Sequence, residues 1–465
     1  MMTAVDSTPL RRKDFRLDES VPLPRDLGHR VVDEHHFFYS VKKASYIVTT
    51  DLGARFVELF REAVPLGEAL EQVCSERALS PEATAEALRR LLIQVEKNRF
   101  YEHSTPVEDV ADHFPILCYL SRFCNLACTH CYMAAGPTIS TEDDLRTAEW
   151  AEVFSGYRKV ISRLDGPLGK ITLTGGEPLA RKDFFDIAEA ARSEGIFLEV
   201  FTNGTLIRNE AIAGRLAGIA DLVQISLDGA TAPVNDAIRG KGTFRRITRA
   251  LALMAECDVK LRLAVTLMPA NAEDFAENLI ETVSAVGKDR VEVRIGLANV
   301  QGRADGSVRF ADSVEGEKVL RSLLEKLYAK GLRRPRNIIP NFRNVSCGFG
   351  RSVNIGSEGT VYGCAIEEVP LGNVRSEPFD ELAARIWQLG AASEVDNIRG
   401  CRSCDLRYFC NGGCRLNNYF RNKDLFITSC TREKREEILR RLVARELDQD
   451  PFAPNAARVG SFWLA

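Results

Sequence analysis

The sequence predicts an α/β protein built around a partial (β/α)6 barrel, with a small domain before it and a cysteine-rich domain after it. Three observations lead to this prediction. Six short apolar runs alternate with helix-length segments between residues 115 and 330, a pattern typical of parallel βα units. A stretch with β-rich and helical patterns precedes them. Seven of the 13 cysteines follow them.

The barrel prediction depends on the order and spacing of its strands. Six parallel units with right-handed crossovers form an open, partial version of the eightfold barrel. We predict its strands at 116–120, 170–174, 197–201, 222–227, 260–267 and 291–297. Before the barrel, apolar spacing predicts a hairpin within 34–50, a polar linker at 101–113, and helices at 52–63, 66–76 and 81–97.

Composition excludes several classes of protein. The chain has 465 residues, 45% of them hydrophobic and 27% charged, which excludes wholesale disorder and leaves room for about three domains. With 62 basic and 65 acidic residues, the net charge of −3 predicts no general attraction to nucleic acid or membranes. Neither a secretory signal nor an apolar run of about 18 residues is found. We therefore expect a cytoplasmic protein whose clustered thiols bind metal or catalyse a reaction.

Four short motifs follow four successive predicted strands. FCNLACTHCY follows the first strand, GGEP the second, TNGT the third and DG the fourth. Any one of these turns is as readily structural as functional. In barrel folds, however, the carboxyl ends of the strands hold the active site. Four motifs in succession therefore favour one shared site.

The first motif contains three cysteines that suggest an incomplete metal site. Cys124, Cys128 and Cys131 form CxxxCxxC, and no fourth cysteine lies nearby. A structural zinc site needs four ligands in closed tetrahedral geometry, so three thiolates indicate a metal centre with one open position. His130 could complete a zinc site, although its place inside the CxxC loop makes this awkward.

CxxxCxxC after the first barrel strand, followed by GGEP after the second, resembles the radical S-adenosylmethionine (SAM) enzymes. The resemblance implies that Cys124, Cys128 and Cys131 bind three irons of a [4Fe–4S] cluster and act in catalysis. The fourth iron would chelate the amino and carboxylate groups of SAM. Reductive cleavage of a sulfonium requires an electron donor in contact with it, which explains the need for an iron without a protein ligand.

The same resemblance implies which residues contact SAM. The Gly175-Gly176-Glu177 turn would contact the methionyl ammonium, the glycines allowing close backbone approach. Arg239 would bind the methionyl carboxylate, which suits its forked guanidinium. Asn203, Ser226 and Asp228 would line the ribose, although an Asn-Gly or Asp-Gly pair alone is usually only a turn.

The second group of cysteines resembles the seven-cysteine SPASM domain, which carries two auxiliary iron–sulfur clusters. A zinc ribbon would use four of the seven and leave three unexplained. The resemblance assigns one inner set and one outer set of ligands, which brings the expected total to three [4Fe–4S] clusters. The inner set is Cys347, Cys364 and Cys414, and the outer set is Cys401, Cys404, Cys410 and Cys430. The inner set lacks a fourth cysteine. Ala365 stands where sulfatase-maturing relatives have an aspartate base, which argues against that activity.

The amino-terminal pattern resembles the winged-helix-like peptide-recognition element found in maturases of ribosomally made peptides. Such modules bind a leader segment by strand addition, and we expect residues 35–50 to supply the edge. A structural cap without a binding role is the alternative, and mixed charge argues against DNA binding. Because all proposed cofactor ligands begin at Cys124, we expect this module to be separable from the radical chemistry.

Together these features predict four segments and one leading function. The segments are the recognition domain (1–105), the radical SAM barrel (112–335), the SPASM domain (340–435) and a carboxy-terminal helix and tail (436–465). We expect an oxidoreductase-type radical SAM maturase that forms Cys-to-Asp/Glu thioether cross-links in a peptide or small protein. Its layout resembles the maturase of quinohemoprotein amine dehydrogenase most.

Other outcomes remain open. They are carbon–carbon cross-linking, epimerisation and oxidative decarboxylation or, in a different class, a non-enzymatic zinc protein that binds peptides. The expected partners are the peptide substrate and an external one-electron donor of flavodoxin or ferredoxin type, with neither nucleic acid nor membrane.

Overall fold

The computed structural model describes nine stretches of the chain. They are residues 15–108, 113–164, 169–287, 291–298, 301–310, 313–330, 342–365, 369–447 and 462–464. By its contacts the chain forms two units. The described part of the first unit comprises residues up to 108, 342–345 and 395–447. The second comprises the barrel and residues 346–394, together with the last strand.

The amino-terminal module, residues 27–97, is a three-stranded antiparallel sheet followed by three helices. Its elements are β1 (Leu27–Val32), β2 (His35–Ser40), β3 (Ser45–Thr49), α1 (Asp51–Arg61), α2 (Leu66–Arg77) and α3 (Pro81–Lys97). The predicted hairpin and three helices are confirmed, whereas β1 was not predicted. Helix α3 begins where Ser80 Oγ accepts the Ala83 N–H at 3.2 Å with proline at the first helical position, a favourable start.

The barrel alternates strands and helices as predicted. Its elements, after the short strand β4 (Val107–Glu108), are β5 (Ile116–Tyr119), α4 (Thr147–Arg163), β6 (Lys170–Thr174), α5 (Phe184–Ser193), β7 (Phe197–Thr202), α6 (Glu210–Ile219), β8 (Leu222–Ser226), α7 (Ala232–Arg239), α8 (Thr243–Ala255), β9 (Lys260–Leu267), α9 (Ala272–Ala285), β10 (Val291–Leu297) and α10 (Ser313–Ala329). Strands β5 to β10 pair in sequence order and in parallel. The α/β partial-barrel prediction is confirmed.

The carboxy-terminal part adds short strands and four helices. These are β11 (Phe342–Arg343), β12 (Val353–Ile355), β13 (Thr360–Tyr362), β14 (Pro370–Asn373), α11 (Phe379–Ala392), α12 (Arg407–Cys410), α13 (Arg415–Asn422), α14 (Arg432–Leu447) and β15 (Phe462–Leu464). Strand β12 pairs in parallel with β5, and β15 pairs antiparallel with β10. The barrel sheet therefore extends beyond its six strands on both sides, which the sequence did not predict. Among the helices in the described ranges, none has the length and apolar character needed to cross a membrane.

Strand alternation separates an apolar layer from a polar interior in the barrel. Ile171 and Leu173 of β6 belong to the main hydrophobic core, whereas Thr172 between them donates to Glu199 of β7 at 3.2 Å. Successive side chains on a strand point to opposite faces. Arg262 of β9, only 2% exposed, lies 3.5 Å from Glu199 and 3.2 Å from Glu292. The interior of the barrel thus contains a buried ion-pair network.

Both faces of the amino-terminal sheet are covered. Phe38 and Ile47 pack with the three helices of the module, whereas Phe37 and Val48 pack on the opposite face with residues of α14 and with Leu406. The module therefore packs against the carboxy-terminal part of the first unit, which the sequence did not predict, whereas its separability from the chemistry of the barrel stays a prediction. Its removal would expose an apolar surface beside the carboxy-terminal cysteines.

The two edges of this sheet differ. The sheet order is β1-β2-β3, so within the expected 35–50 edge β2 is a central strand and β3 is an edge strand. On β3 the Val48 N–H donates to Gln94 Oε1 at 2.9 Å, and the Tyr46 carbonyl accepts from Asn98 Nδ2 at 3.0 Å. The outer backbone groups of β1 bond no other described segment. Only β1 offers an unoccupied edge within the described part of this unit.

We predict that Arg262→Ala lowers the free energy of unfolding by about 3 kcal/mol, because it removes the guanidinium that pairs with the buried carboxylate of Glu199 and the half-buried carboxylate of Glu292. Denaturant unfolding under anaerobic conditions measures this. Arg163→Gln is the matched control, because Arg163 is 67% exposed and its pair with Asp380 lies at 3.2 Å on the surface. The control should lose less than about 1 kcal/mol. Equal losses in both variants would contradict a structural role for the interior network.

Candidate active site

The structure gathers the predicted motifs at one end of the barrel. The cysteine loop follows β5, the glycine turn follows β6, Asn203 follows β7 and Asp228 follows β8. Ser226, the last residue of β8, pairs with Ala264 of β9 and is half-buried. Because the strands are parallel, their carboxyl ends share one rim.

The three cysteines of the loop lie in a largely buried environment. Cys124 is 7% exposed, while Cys128 and Cys131 are half-buried. Burial raises the pKa of the Cys124 thiol to about 12, and the neighbouring thiols add to the rise. Burial also raises the pKa of Cys128, against the opposing effect of nearby Arg239. Thiols that resist ionisation this strongly would be stabilised as thiolates by a bound cationic metal centre.

Backbone contact between the glycine turn and the segment before the cysteines is unusually close. The Gly176 N–H donates to the Ser121 carbonyl at 2.7 Å, and the Glu177 N–H donates to the Phe123 carbonyl at 2.9 Å. A Cβ on Gly176 would lie 2.1 Å from the Phe123 carbonyl oxygen, and Gly175 has φ +129°. Side chains are excluded at both positions. The glycines therefore hold the cysteine loop, a role that the sequence analysis did not assign to them.

Glu177 is a fully buried carboxylate that organises the end of β7. It accepts hydrogen bonds from Thr202 Oγ1 at 2.6 Å, the Asn203 N–H at 2.7 Å and the Leu179 N–H at 3.1 Å. Burial raises the pKa of Glu177 to about 6, and these hydrogen bonds oppose the rise. Its contacts within the protein position Asn203, besides any charge that it supplies to a ligand.

Asn203 connects the third motif to the cysteine loop. Its Nδ2 donates to Asn125 Oδ1 at 2.9 Å and lies 3.8 Å from Cys124 Sγ. Asn125 Nδ2 in turn donates to Thr205 Oγ1 at 2.9 Å. The sequence analysis missed Asn125 and Thr205, although both lie inside motifs that it identified. Three amide or hydroxyl side chains therefore fix the loop beside its first cysteine.

A buried charge cluster lies beside the second cysteine. Asp228 Oδ2 is 2.6 Å from Arg239 Nη2 and 3.0 Å from His130 Nε2. Burial alone would raise the pKa of Asp228, but Arg239 and His130 hold it well below its usual range. Asp228 Oδ1 also accepts the Thr266 N–H at 2.9 Å. His130, considered above as a possible zinc ligand, instead pairs with this carboxylate.

Several donors of this region have no protein partner. Among the described residues, the buried atoms Arg239 Nε, His130 Nδ1 and Arg303 Nη2 make no hydrogen bond. Buried polar groups without partners are costly. Two of the three side chains are permanently cationic and His130 becomes cationic when protonated, so the set fits a ligand with carboxylate or hydroxyl oxygens.

Arg303 is a site residue that the sequence analysis missed. Its N–H donates to the Cys131 carbonyl at 3.0 Å, and its Nε donates to the Cys128 carbonyl at 3.1 Å. It follows Gly302, which has φ +64°. The sequence signal that could have identified Arg303 is the Gly302-Arg303 pair after the sixth barrel strand, because that strand ends at the same rim.

The outer cysteines form one group in the first unit. The thiols of Cys401, Cys404 and Cys430 act with burial to raise the pKa of Cys410 to about 11. Burial, together with Cys401 and Cys404, also raises the pKa of Cys430. All four cysteines belong to the first unit.

The proposed inner cysteines are divided between the two units. Cys347 and Cys364 belong to the second unit, whereas Cys414, at the start of α13, belongs to the first. The Ala365 carbonyl accepts from Tyr119 at 3.4 Å. In the described ranges, no three His, Cys, Asp or Glu side chains are placed to hold a single metal ion.

Comparison with known proteins agrees with this site. The Radical SAM superfamily model matches residues 118–281. Mycofactocin maturase MftC of Mycolicibacterium smegmatis is 30% identical over 65% of this chain and 78% of its own length. The PqqA peptide cyclase of Methylocella silvestris is 28% identical over 64% of this chain and 82% of its own.

A solved structure has a similar fold. Streptococcus suis SuiB bound to precursor peptide SuiA is 16% identical, with a TM-score of 0.52 over 89% of this chain and 99% of that chain. Fold, strand-end site and relatives agree. The chain therefore belongs to the Radical SAM superfamily and is a radical SAM enzyme related to the peptide-modifying maturases.

Proposed function

We propose that this enzyme is a maturase of a ribosomally made peptide or small protein. The observation that carries the proposal is the buried three-cysteine loop, held by the glycine turn and flanked by donors without protein partners. The named substrates of its relatives support a peptide as the substrate.

The proposed cofactors are a [4Fe–4S] cluster in the barrel and SAM. When bound, they supply an electron and a carbon-centred radical that abstracts hydrogen from an unactivated C–H bond. The protein ligands of this cluster would be Cys124, Cys128 and Cys131. Asn203 and Arg303 fix the loop that carries them, through the contacts described above.

The SAM contacts remain a proposal supported by the shape and charge of the rim. Gly175 and Gly176 leave the rim free of side chains at their turn. Arg239, oriented by Asp228 at 2.6 Å, has a second donor available for a carboxylate. Asn203 and Ser226 add polar groups at neighbouring strand ends, which suit ribose hydroxyls, and Glu177 supplies negative charge beneath the turn.

We further propose that residues 340–435 form a SPASM domain with two auxiliary [4Fe–4S] clusters, reduced by an external flavodoxin- or ferredoxin-type donor. The outer ligands would be Cys401, Cys404, Cys410 and Cys430, all of which belong to the first unit. The inner ligands would be Cys347, Cys364 and Cys414. We also propose the domain boundaries predicted from the sequence, except the last, which falls inside α14 (Arg432–Leu447).

The bond that we propose is a thioether between cysteine and an acidic side chain, as in the quinohemoprotein amine dehydrogenase branch. Its support is the cysteine layout and the built-in module, which other peptide-modifying branches share. Carbon–carbon cross-linking, epimerisation and oxidative decarboxylation are the alternatives. Mass separates them in part: either kind of cross-link removes two hydrogens, epimerisation leaves the mass unchanged, and oxidative decarboxylation removes two hydrogens and carbon dioxide. Thiol alkylation separates the two cross-links, because only the thioether consumes a cysteine thiol of the peptide.

The amino-terminal module is proposed to be the winged-helix-like recognition element, which binds the leader of the peptide by strand addition. A peptide that adds to β3 must displace the contacts of Gln94 and Asn98. A peptide that adds to β1 displaces no contact of a described segment. We therefore place the docking edge on β1.

Our first test uses small proteins encoded beside this gene, each co-expressed with the enzyme and analysed by mass spectrometry. We expect one to be modified by the wild-type enzyme and unmodified by the Cys124/Cys128/Cys131→Ala variant. The wild type should hold about twelve irons and the variant about eight, an estimate from three clusters of four irons. Normal 5′-deoxyadenosine production by the variant would falsify the barrel-cluster assignment. A colourless wild-type protein after anaerobic purification would point instead to zinc.

The second prediction concerns the glycine turn. Gly176→Ala should lose most SAM cleavage and about four irons, because its Cβ would lie 2.1 Å from the Phe123 carbonyl and displace the cysteine loop. The auxiliary clusters should remain. Gly214→Ala on α6, where a Cβ meets no atom within 4 Å, controls for the effect of an added methyl group on the barrel. Full iron content in Gly176→Ala would show that the close approach is not needed.

A further prediction tests whether β1 is the docking edge by removing one of its outward-pointing N–H groups. The turn between β1 and β2 has two residues, Asp33 and Glu34, with φ of 46° and 67°. Val32 and His35, which flank this turn, pair with each other. Because alternate residues of a strand point their N–H groups to opposite sides, the Val31 N–H points away from β2. Val31→Pro should weaken binding of the modified peptide about fivefold, the value of one hydrogen bond. Val31→Ala, which keeps the N–H, is the control and should leave peptide affinity near wild type. Equal affinities of the two variants by fluorescence anisotropy would rule out β1 as the docking edge.

A further inference from the structure

Asp405, which directly follows the outer ligand Cys404, receives contacts from three separate elements of the first unit. Its Oδ2 accepts from Arg30 of β1 at 2.5 Å and from Tyr39 of β2 at 2.7 Å. Its Oδ1 contacts Arg435 of α14 and lies 3.8 Å from Cys404 Sγ. The carboxylate therefore connects the amino-terminal module to the cysteine loop.

An apolar wall accompanies this polar contact. Cys404 and Cys410 pack against a cluster that includes Phe37 of the amino-terminal sheet. Tyr46 meets Phe409 edge to face, with ring centroids 5.5 Å apart and an interplanar angle of 87°. The sheet face thus excludes water from one side of the outer thiols.

The main chain at Cys404 is fixed as well. The Cys404 N–H donates to the Cys401 carbonyl at 2.7 Å, and the Cys404 carbonyl accepts from Arg407 Nη1 at 2.9 Å. Asp405 is the side chain through which the amino-terminal module makes a charged contact with this turn, because Arg30 and Tyr39 both belong to that module. Groups that hold metal ligands in place tune the affinity and potential of the site.

We propose that Asp405 is a positioning residue of the outer auxiliary cluster and that the amino-terminal module forms one wall of this site. The proposal rests on the assignment of Cys401, Cys404, Cys410 and Cys430 as outer ligands. The module then has a second role besides peptide recognition. Through Arg30 and Tyr39 it sets how firmly the cluster is held and at what potential it is reduced.

The charges of this network give opposite expectations for two substitutions. A negative charge near a cluster disfavours its reduction and a positive charge favours it. Asp405→Asn should therefore raise the reduction potential of the outer cluster, and Arg30→Gln should lower it. Tyr39→Phe removes one hydrogen bond without changing charge or packing volume. Simple loosening of the fold would not shift the potential in opposite directions.

The experiment uses full-length protein carrying Cys124/Cys128/Cys131→Ala, so that only the auxiliary clusters give a signal. Redox titration followed by electron paramagnetic resonance measures the potentials, and bathophenanthroline measures iron loss. We expect Asp405→Asn and Arg30→Gln to lose outer-cluster iron about 10- to 100-fold faster, with opposite potential shifts. Tyr39→Phe should lose iron faster with little shift. The control is Arg16→Gln, whose pair with Asp18 is exposed, and it should match the parent protein.

The outcomes separate this inference from the proposed function. If the parent protein holds no auxiliary iron, the ligand assignment is wrong. If it holds about eight irons and the Asp405 and Arg30 variants keep parental potentials and iron retention, the positioning role is wrong. Shifts in the same direction in both variants would also overturn it.

Discussion

The active-site rim depends on close backbone contact between the glycine turn and the segment that precedes the cysteines. At Gly176 the separation leaves no space for even a methyl group. Two backbone hydrogen bonds cross this contact, from the N–H groups of Gly176 and Glu177. The cysteine loop has a small apolar cluster of its own around Leu126, Met133 and Ala135, and these backbone contacts fix its position relative to the strands. The glycine turn at the end of β6 therefore holds the cysteine loop that follows β5 in place.

Two buried carboxylates extend this order to the next strands. Glu177 holds the backbone and side chains at the end of β7, and Asp228 holds Arg239 and His130 beside the cysteine loop. Buried charges are stable only when they are paired and hydrogen-bonded. Asp228 meets that condition with Arg239 and His130, whereas Glu177 is held by hydrogen bonds alone. The remaining buried donors of the rim lie where an acidic ligand is proposed.

The first unit shows a different use of the same principle. Its amino-terminal sheet has two covered faces, one against its own helices and one against the outer cysteine loop and α14. Asp405, next to the proposed ligand Cys404, accepts hydrogen bonds from Arg30 and Tyr39 of that sheet. Substrate recognition and cluster support are therefore proposed to share one small module. This arrangement makes the module part of the metal site, although it lies far from the cysteines in sequence.

The sequence by itself determined the six barrel strands, the three amino-terminal helices and the rim on which the motifs meet, since apolar periodicity and strand-end position are local properties. It did not reveal β1, whose alternating burial is weak, or the additions of β12 and β15 to the barrel sheet. Tertiary structure alone decided that Glu177 is buried, that His130 pairs with Asp228 and that Arg303 supports the cysteine loop. It also decided that Asp405 meets Arg30, 375 residues away. These features depend on contacts between residues distant in the chain, which no local pattern encodes.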